Sequence, residues 1–180
     1  MSKILLVGGG PSRLLAHTVL ADYIGATNDG IIACHNFGLK PTWVFLADSI
    51  AIARHRNMAA NFSGDNGTQL IGTWRSGTEH CRMNGLTVTH VLKPERSVRG
   101  PHIPGTYCKP RFSGLMLLEW ILNTQKPTQL VLAGYDGYGA GTVDCGYNTT
   151  LIQPFMQSCI ERHPECQFQF VAPPLYQLSV

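Results

Sequence analysis

Apolar positions fall into short uninterrupted runs separated by longer segments with helical spacing. Lys3 to Val7 (KILLV) is an apolar run of strand length that stops at three glycines. Ser12 to Tyr23 follows, with Leu14, Leu15, Val19 and Leu20 on one side of a helical repeat. Gly30 to Asn36 (GIIACHN) and Thr42 to Ala47 (TWVFLA) predict a second and a third strand. Asp48 and Ser49 read as the start of a helix through IAIARHRNMAANF. Gln69 to Trp74 and Leu86 to Leu92 (LTVTHVL) predict two more strands, and Ser113 to Thr124 (SGLMLLEWILNT) a strongly apolar helix. Gln129 to Ala133 (QLVLA), a helix over Phe155 to Arg162 and a strand over Gln167 to Val171 complete the pattern.

Strands alternating with helices predict an α/β fold of single-domain, Rossmann-like form: a mostly parallel sheet with helices on both faces. The 180 residues suffice for one domain with a substantial core, and no repeat, low-complexity tract or linker divides them. Residues 1–180 are therefore expected to form one nucleotide-binding α/β domain, with 76–111 as a variable insertion or loop region. Its last part, KPERSVRGPHIPGTYCKPR, holds four prolines and no periodicity.

Composition narrows the partners. Hydrophobic residues make up 44% and charged ones 14%, a globular balance. A net charge of +3 with scattered Lys and Arg lacks the basic stripe of a nucleic-acid binder. The densest basic group, Lys93, Arg96 and Arg99, reads as a solvated loop. No run approaches the ~20 apolar residues of a membrane span, and the start lacks the pattern of a signal peptide. Six cysteines without a CxxC pair fit reduced thiols and a cytoplasmic protein. Cys159, His163 and Cys166 have ligand-like spacing but no fourth ligand, so no metal site is assigned.

In open parallel sheets ligands bind beyond the carboxyl ends of the strands. The expected strand ends carry Gly8 to Ser12, His35 with Asn36, Asp48 with Ser49, and Gly134 to Tyr138. Together they would build a nucleotide-sized site. The glycine run is not GxGxxG and no Gly-Lys-Ser/Thr follows it, which argues against a Rossmann dehydrogenase or a P-loop kinase. Its spacing alone leaves ligand loop and plain turn both open. His35, and behind it His102 in the long loop, are the candidate general bases. Asp48 is a second candidate base, or a partner of Asp136 around Mg²⁺, or simply a helix cap. Trp43 and Trp74 flank polar strand ends, as rim packing or as stacking platforms.

Five pieces in order, ILLVGGGPS, IIACHNF, WVFLADS, FSGLMLLEWIL and LVLAGYDGY, resemble the bacterial family 42 sialyltransferases. They are similar too to the related DUF115 proteins and the archaeal-type 6-hydroxymethylpterin diphosphokinases. The resemblance covers most of the chain outside residues 63–110. It implies an α/β nucleotide-binding fold in which Gly9, Gly10, Ser12, Asn36, Ser113, Gly114 and Asp136 hold a nucleotide. Asp136 would accept the ribose hydroxyls, Tyr138 would contact phosphate, and Tyr147 is the nearest match to a second family tyrosine. Two departures stand out. Gly9 replaces a usual asparagine, and no histidine lies between Asp136 and Phe155, where the sialyltransferases carry their catalytic one.

Three readings follow. The first is a small transferase, glycosyltransferase-like, that binds a nucleotide or nucleotide-sugar donor, with His35 and Asp48 as its catalytic groups. The second is a diphosphokinase using ATP and Mg²⁺. The third is a nucleotide-binding module without catalysis. The small-molecule acceptor is not identified, and a homo-oligomer is admitted because the Ser113 to Thr124 helix suits a core or a subunit interface.

Overall fold

Ile4 and Leu6 point to one side of the first strand, Leu5 and Val7 to the other, and all four are buried. A strand covered on both faces needs an unbroken apolar run, which KILLV supplies. The computed structural model describes residues 2–47, 49–65, 67–73, 76–92, 113–137, 139 and 148–178. Its strands are β1 (Lys3–Val7), β2 (Tyr23–Thr27), β3 (Trp43–Leu46), β4 (Gln69–Thr73), β5 (His90–Leu92), β6 (Gln129–Ala133) and β7 (Gln167–Phe170). They form one sheet in the order β5-β4-β3-β2-β1-β6-β7, with every pair parallel. The helices are α1 (Asp29–Asn36), α2 (Ser49–Asp65), α3 (Ser76–Met83), α4 (Ser113–Gln125) and α5 (Gln153–Arg162). A 3₁₀ helix (Pro11–Thr18) and a π-type turn (Asn148–Ile152) accompany them.

Two cores sandwich the sheet. On one face Ile4, Leu6, Phe45, Ile71 and Leu132 pack against Leu117, Leu118 and Ile121 of α4 and Phe155 and Met156 of α5. On the other, Leu5, Val7, Val44, Leu46 and Leu70 pack against Ile31 and Cys34 of α1, Ile52 and Ala59 of α2 and Cys81 of α3. The fold is the expected α/β sheet with helices on both faces. The apolar side chains of α4 are consumed by this core, so they no longer argue for a subunit interface. No helix among the described residues is long and apolar enough to cross a membrane.

Two expected elements change. The helix predicted over Ser12 to Tyr23 stops as a 3₁₀ helix at Thr18, and the chain re-enters the sheet at Tyr23 as β2. Its leucine stripe was not a core stripe: Leu14, Leu15 and Leu20 are exposed. GIIACHN, predicted as a strand, is helix α1. A run this short buries Ile31 and Cys34 at i, i+3 as readily as it would alternate, so periodicity could not decide. α3 was not anticipated, and only the last three residues of LTVTHVL pair as β5.

Candidate functional site

The connection after β1 passes toward β2, and the one after β6 passes toward β7, on the opposite side. β1 and β6 are neighbours, so their carboxyl ends flank the point where strand order reverses, the usual ligand crevice of such sheets. A cleft of about 440 Å³ lies there, within the ~300–1,000 Å³ typical of small-molecule sites. Gly8, Gly9, Gly10, Asn28, Asp29, Arg54, Gly114, Gly134, Tyr135 and Gly137 are among the residues that line it.

The glycines differ in what requires them. The Gly8 amide donates to the Ala133 carbonyl at 2.7 Å, and the Gly10 amide to the Gly134 carbonyl at 2.9 Å. The β1 and β6 loops are thus laced together by backbone. A Cβ on Gly8 would stand 2.6 Å from the Gly134 oxygen, and one on Gly10 2.9 Å from Asp136 Oδ2. Gly9 is unlike both. A Cβ there would meet nothing closer than Asn28 Cβ at 3.8 Å, and its φ lies outside the left-handed region. Among the described residues no partner takes up its amide. Packing has no need of glycine at position 9, and its exposed face looks into the cleft.

Asp136 and Ser12 lie beneath this loop, both buried. The Ser12 amide donates to Asp136 Oδ2 at 2.7 Å, and the Ser12 hydroxyl donates to Asp136 Oδ1. The same hydroxyl accepts from the Gly134 amide at 2.7 Å. A carboxylate on the first turn of the 3₁₀ helix satisfies orphan donors and suits the positive end of that helix. Both carboxylate oxygens are therefore occupied within the protein. The C-terminal segment braces this corner: the Leu175 amide donates to the Asp136 carbonyl at 2.7 Å, and the Tyr176 hydroxyl to the Tyr135 carbonyl at 2.8 Å. Burial pushes the Tyr176 phenol up, and the Asp136 charge adds to it, so it stays a neutral donor.

The fold brings only part of the expected set together. Gly9, Gly10 and Gly114 line the cleft, while Ser12 and Asp136 form its buried support and Ser113 opens α4 as a buried residue. His35 and Asn36 are not there. They end α1, which runs back against the strands, about 10 Å from the cleft by helix rise alone. His35 is exposed and meets the edge of Phe62, with ring centroids 6.3 Å apart. The expectation of His35 as general base and of Asn36 as a nucleotide contact placed both at a strand end, whereas the structure places them at the far end of a helix. Of the pair expected around Mg²⁺, Asp136 is buried and accepts from Ser12 through both oxygens. Asp48, Tyr138 and Tyr147 lie outside the described residues, as do Trp74, Lys93, Arg96, Arg99 and His102. Trp43 is buried at the amino ends of the strands, in the core.

What the sequence reading missed is the T-N-D-G corner after β2. Asn28 has φ 53° and ψ −134°, a region glycine normally occupies. Its side chain makes no capping hydrogen bond to α1, so the strain gains nothing for the helix. Asp29 faces the cleft beside it, with Arg54 Nη2 3.5 Å from its Oδ1. Backbone strain of this kind clusters at ligand sites and switch regions. Asn28→Gly is expected to stabilise the free protein by about 0.5–1 kcal/mol, the relieved strain less the added chain entropy. Thermal denaturation checks this, and a lower midpoint would mean that the asparagine side chain holds the corner after all.

No family model and no curated protein matches the chain. Solved structures similar to it include a protein from Lactobacillus plantarum, 14% identical with a TM-score of 0.48 over 95% of this chain and 62% of that one. The thiamine pyrophosphokinase from Bacillus subtilis is 16% identical, with a TM-score of 0.49 over 94% and 60% of the two chains. Thiamin pyrophosphokinase from Geobacillus thermodenitrificans is 14% identical, with a TM-score of 0.48 over 94% and 59%. The chain spans about three-fifths of the length of these structures. The similarity is one of α/β architecture.

Proposed function

We propose that this chain binds the phosphate end of a nucleoside polyphosphate at the β1/β6 cleft and transfers a phosphoryl-type group from it to a small hydroxyl acceptor. Gly9 carries the reading: a glycine that packing does not require, with an unused amide, on the wall of a switch-point cleft. A phosphate can approach such a backbone closely and accept from its N–H. Arg54, also in the cleft lining, carries the fork of donors that phosphate oxygens accept.

Group transfer assisted by Mg²⁺ suits this cleft better than sugar transfer. Sugar transfer needs a general base at the cleft, and His35, the first of those considered, stands at the other end of α1, while His102 and Asp48 lie outside the described residues. The described residues contain no cluster of three or more ligands for a dedicated metal cage. Mg²⁺ needs no such cage, because it is commonly held by one or two carboxylates plus the substrate's own phosphates. Asp29, in the cleft and about a quarter exposed, fits that role. The bound ion would supply charge neutralisation between the phosphates. The chain's own part is to hold the phosphates at Gly9 and Arg54 and keep Asp29 turned toward them.

A thermal-shift comparison of ATP, CMP and nucleotide sugars, each with and without Mg²⁺, tests this. ATP with Mg²⁺ is expected to raise the unfolding midpoint, since ligand at a hundred times its Kd adds about 2.7 kcal/mol. Gly9→Leu should unfold at the wild-type midpoint without ligand and lose the shift. A Mg²⁺-independent shift with CMP would restore the sugar-transfer reading. No shift with any nucleotide would leave the glycine run a turn.

A further inference from the structure

The buried face of α2 contains one residue that does not match its neighbours. Ile52, His55 and Ala59 follow each other at i, i+3 and i+7, all facing the core, and His55 is only 2% exposed. An apolar side chain is the ordinary occupant of that stripe. Instead an imidazole sits there whose Nδ1 has no hydrogen-bond partner among the described residues. Buried polar atoms are nearly always paired, so an orphan one calls for a reason. The other ring nitrogen, Nε2, lies 3.7 Å from Asp29 Oδ1, the carboxylate that lines the cleft.

We propose that His55 is a positioning residue for Asp29: a neutral imidazole, protonated on Nε2, that steadies the carboxylate from behind while Arg54 engages the ligand's phosphate. The tautomer follows from the cost of leaving atoms unpaired. An N–H buried without an acceptor is rarer and dearer than a lone pair without a donor, so the orphan Nδ1 carries the lone pair. The proton then sits on Nε2, the side facing Asp29.

The geometry around Asp29 shows what this support is for. In the free protein Arg54 stands 3.5 Å from Asp29 Oδ1 on the solvent side, and His55 stands 3.7 Å from it on the buried side. The carboxylate lies between these two groups, and the imidazole contact is longer than a hydrogen bond. Arg54 is exposed enough to turn toward a phosphate, an acceptor its planar fork fits well. Asp29 would then lose its outer partner and close onto the Nε2–H, which keeps it aimed into the cleft. This last step rests on the phosphate reading of the cleft, whereas the pairing of His55 with Asp29 does not.

Two measurements separate those dependencies. In protein labelled with ¹⁵N-histidine, the ring resonances that vanish in His55→Gln are expected to show the neutral, Nε2-protonated form and to move in Asp29→Asn. A ring protonated on Nδ1, or resonances indifferent to Asp29→Asn, would overturn the pairing whatever the protein binds. Calorimetric titration with Mg²⁺ and ATP forms the second arm. His55→Gln keeps a donor near the position of Nε2 and should bind within about threefold of wild type. His55→Leu should bind about tenfold more weakly, as when the outer partner of a ligating group is lost, while unfolding at or above the wild-type midpoint. Wild-type affinity in His55→Leu would overturn the positioning role. If the wild type itself fails to bind, the phosphate reading fails, and the resonance shifts alone decide whether His55 and Asp29 act as a pair.

Discussion

Gly30→Ala is expected to destabilise the fold by at least about 3 kcal/mol, more than overpacking usually costs. The added Cβ would stand 2.1 Å from the Val7 oxygen, 2.5 Å from the Val7 carbonyl carbon and 2.8 Å from the Gly8 oxygen. These are backbone atoms at the end of a central strand. Val7 is paired in register with Ala26 on one side and Ala133 on the other, so the carbonyl cannot yield without disturbing two ladders. α1 would have to move outward instead, taking Asn28 and Asp29 out of the cleft. The unfolding midpoint should fall by ~6–12 °C for a chain of this size, and ligand binding should fall with it. Gly9→Ala, one residue past the crowded Gly8, is the contrast. Its Cβ has room, so stability should stay within about 1 kcal/mol of wild type. Equal losses in the two variants would mean that the glycine loop and the α1 corner are a single packing unit with no side reserved for a ligand.

Much of this architecture was legible because a parallel sheet covered on both faces writes itself as apolar runs. KILLV, WVFL and QLVLA needed no context. YIGAT did not read as a strand, and the reason is physical. A Cβ on Gly25 would come 2.7 Å from Leu6 Cδ2 and 3.5 Å from Leu117 Cδ2, so β2 is small where α4 presses on the sheet. A strand whose buried positions are Gly25, Ala26 and Thr27 lacks the run of large apolar residues by which strands are found. That single omission moved the second strand one element too far along the chain. It placed His35 and Asn36 at the site and left Asn28 and Asp29 out of it. Arg54 and His55 were hidden for a different reason. Their α2 was recognised, but only the observed packing tells which turn of a helix stands over a cleft and which of two adjacent residues faces inward. The glycine run was legible as a strand-to-helix corner. That Gly8 and Gly10 are demanded by the β6 loop, and Gly9 by nothing in the fold, depends on contacts between residues more than 120 positions apart.

Asp136 provides the second large effect. The motif reading would have Asp136→Ala abolish nucleotide binding and leave the fold intact, because it gives the carboxylate to a ribose. Its position makes the opposite expectation: a loss of about 3 kcal/mol in stability, before any ligand is considered. The carboxylate accepts from the Ser12 amide and the Ser12 hydroxyl while buried, and hydrogen bonds to a charged acceptor contribute roughly 1.5–3 kcal/mol each. Alanine would also leave the Ser12 amide without a partner at the first turn of the 3₁₀ helix. Asp136→Asn separates charge from shape, since its one carbonyl oxygen can still accept from a single Ser12 donor. An intermediate loss is expected for it: the amide group can still donate to the Ser12 hydroxyl, so what is lost is the charge-assisted part of both bonds. Chemical denaturation of the three proteins without nucleotide measures these differences directly. Should Asp136→Ala unfold within about 1 kcal/mol of wild type and yet fail to bind nucleotide, Ser12 would be a replaceable partner and the ribose assignment would stand. Should stability collapse as the buried network requires, Asp136 belongs to the frame that holds β1 against β6, and the ligand contacts must come from Gly9, Asp29 and Arg54 on the open side of the cleft.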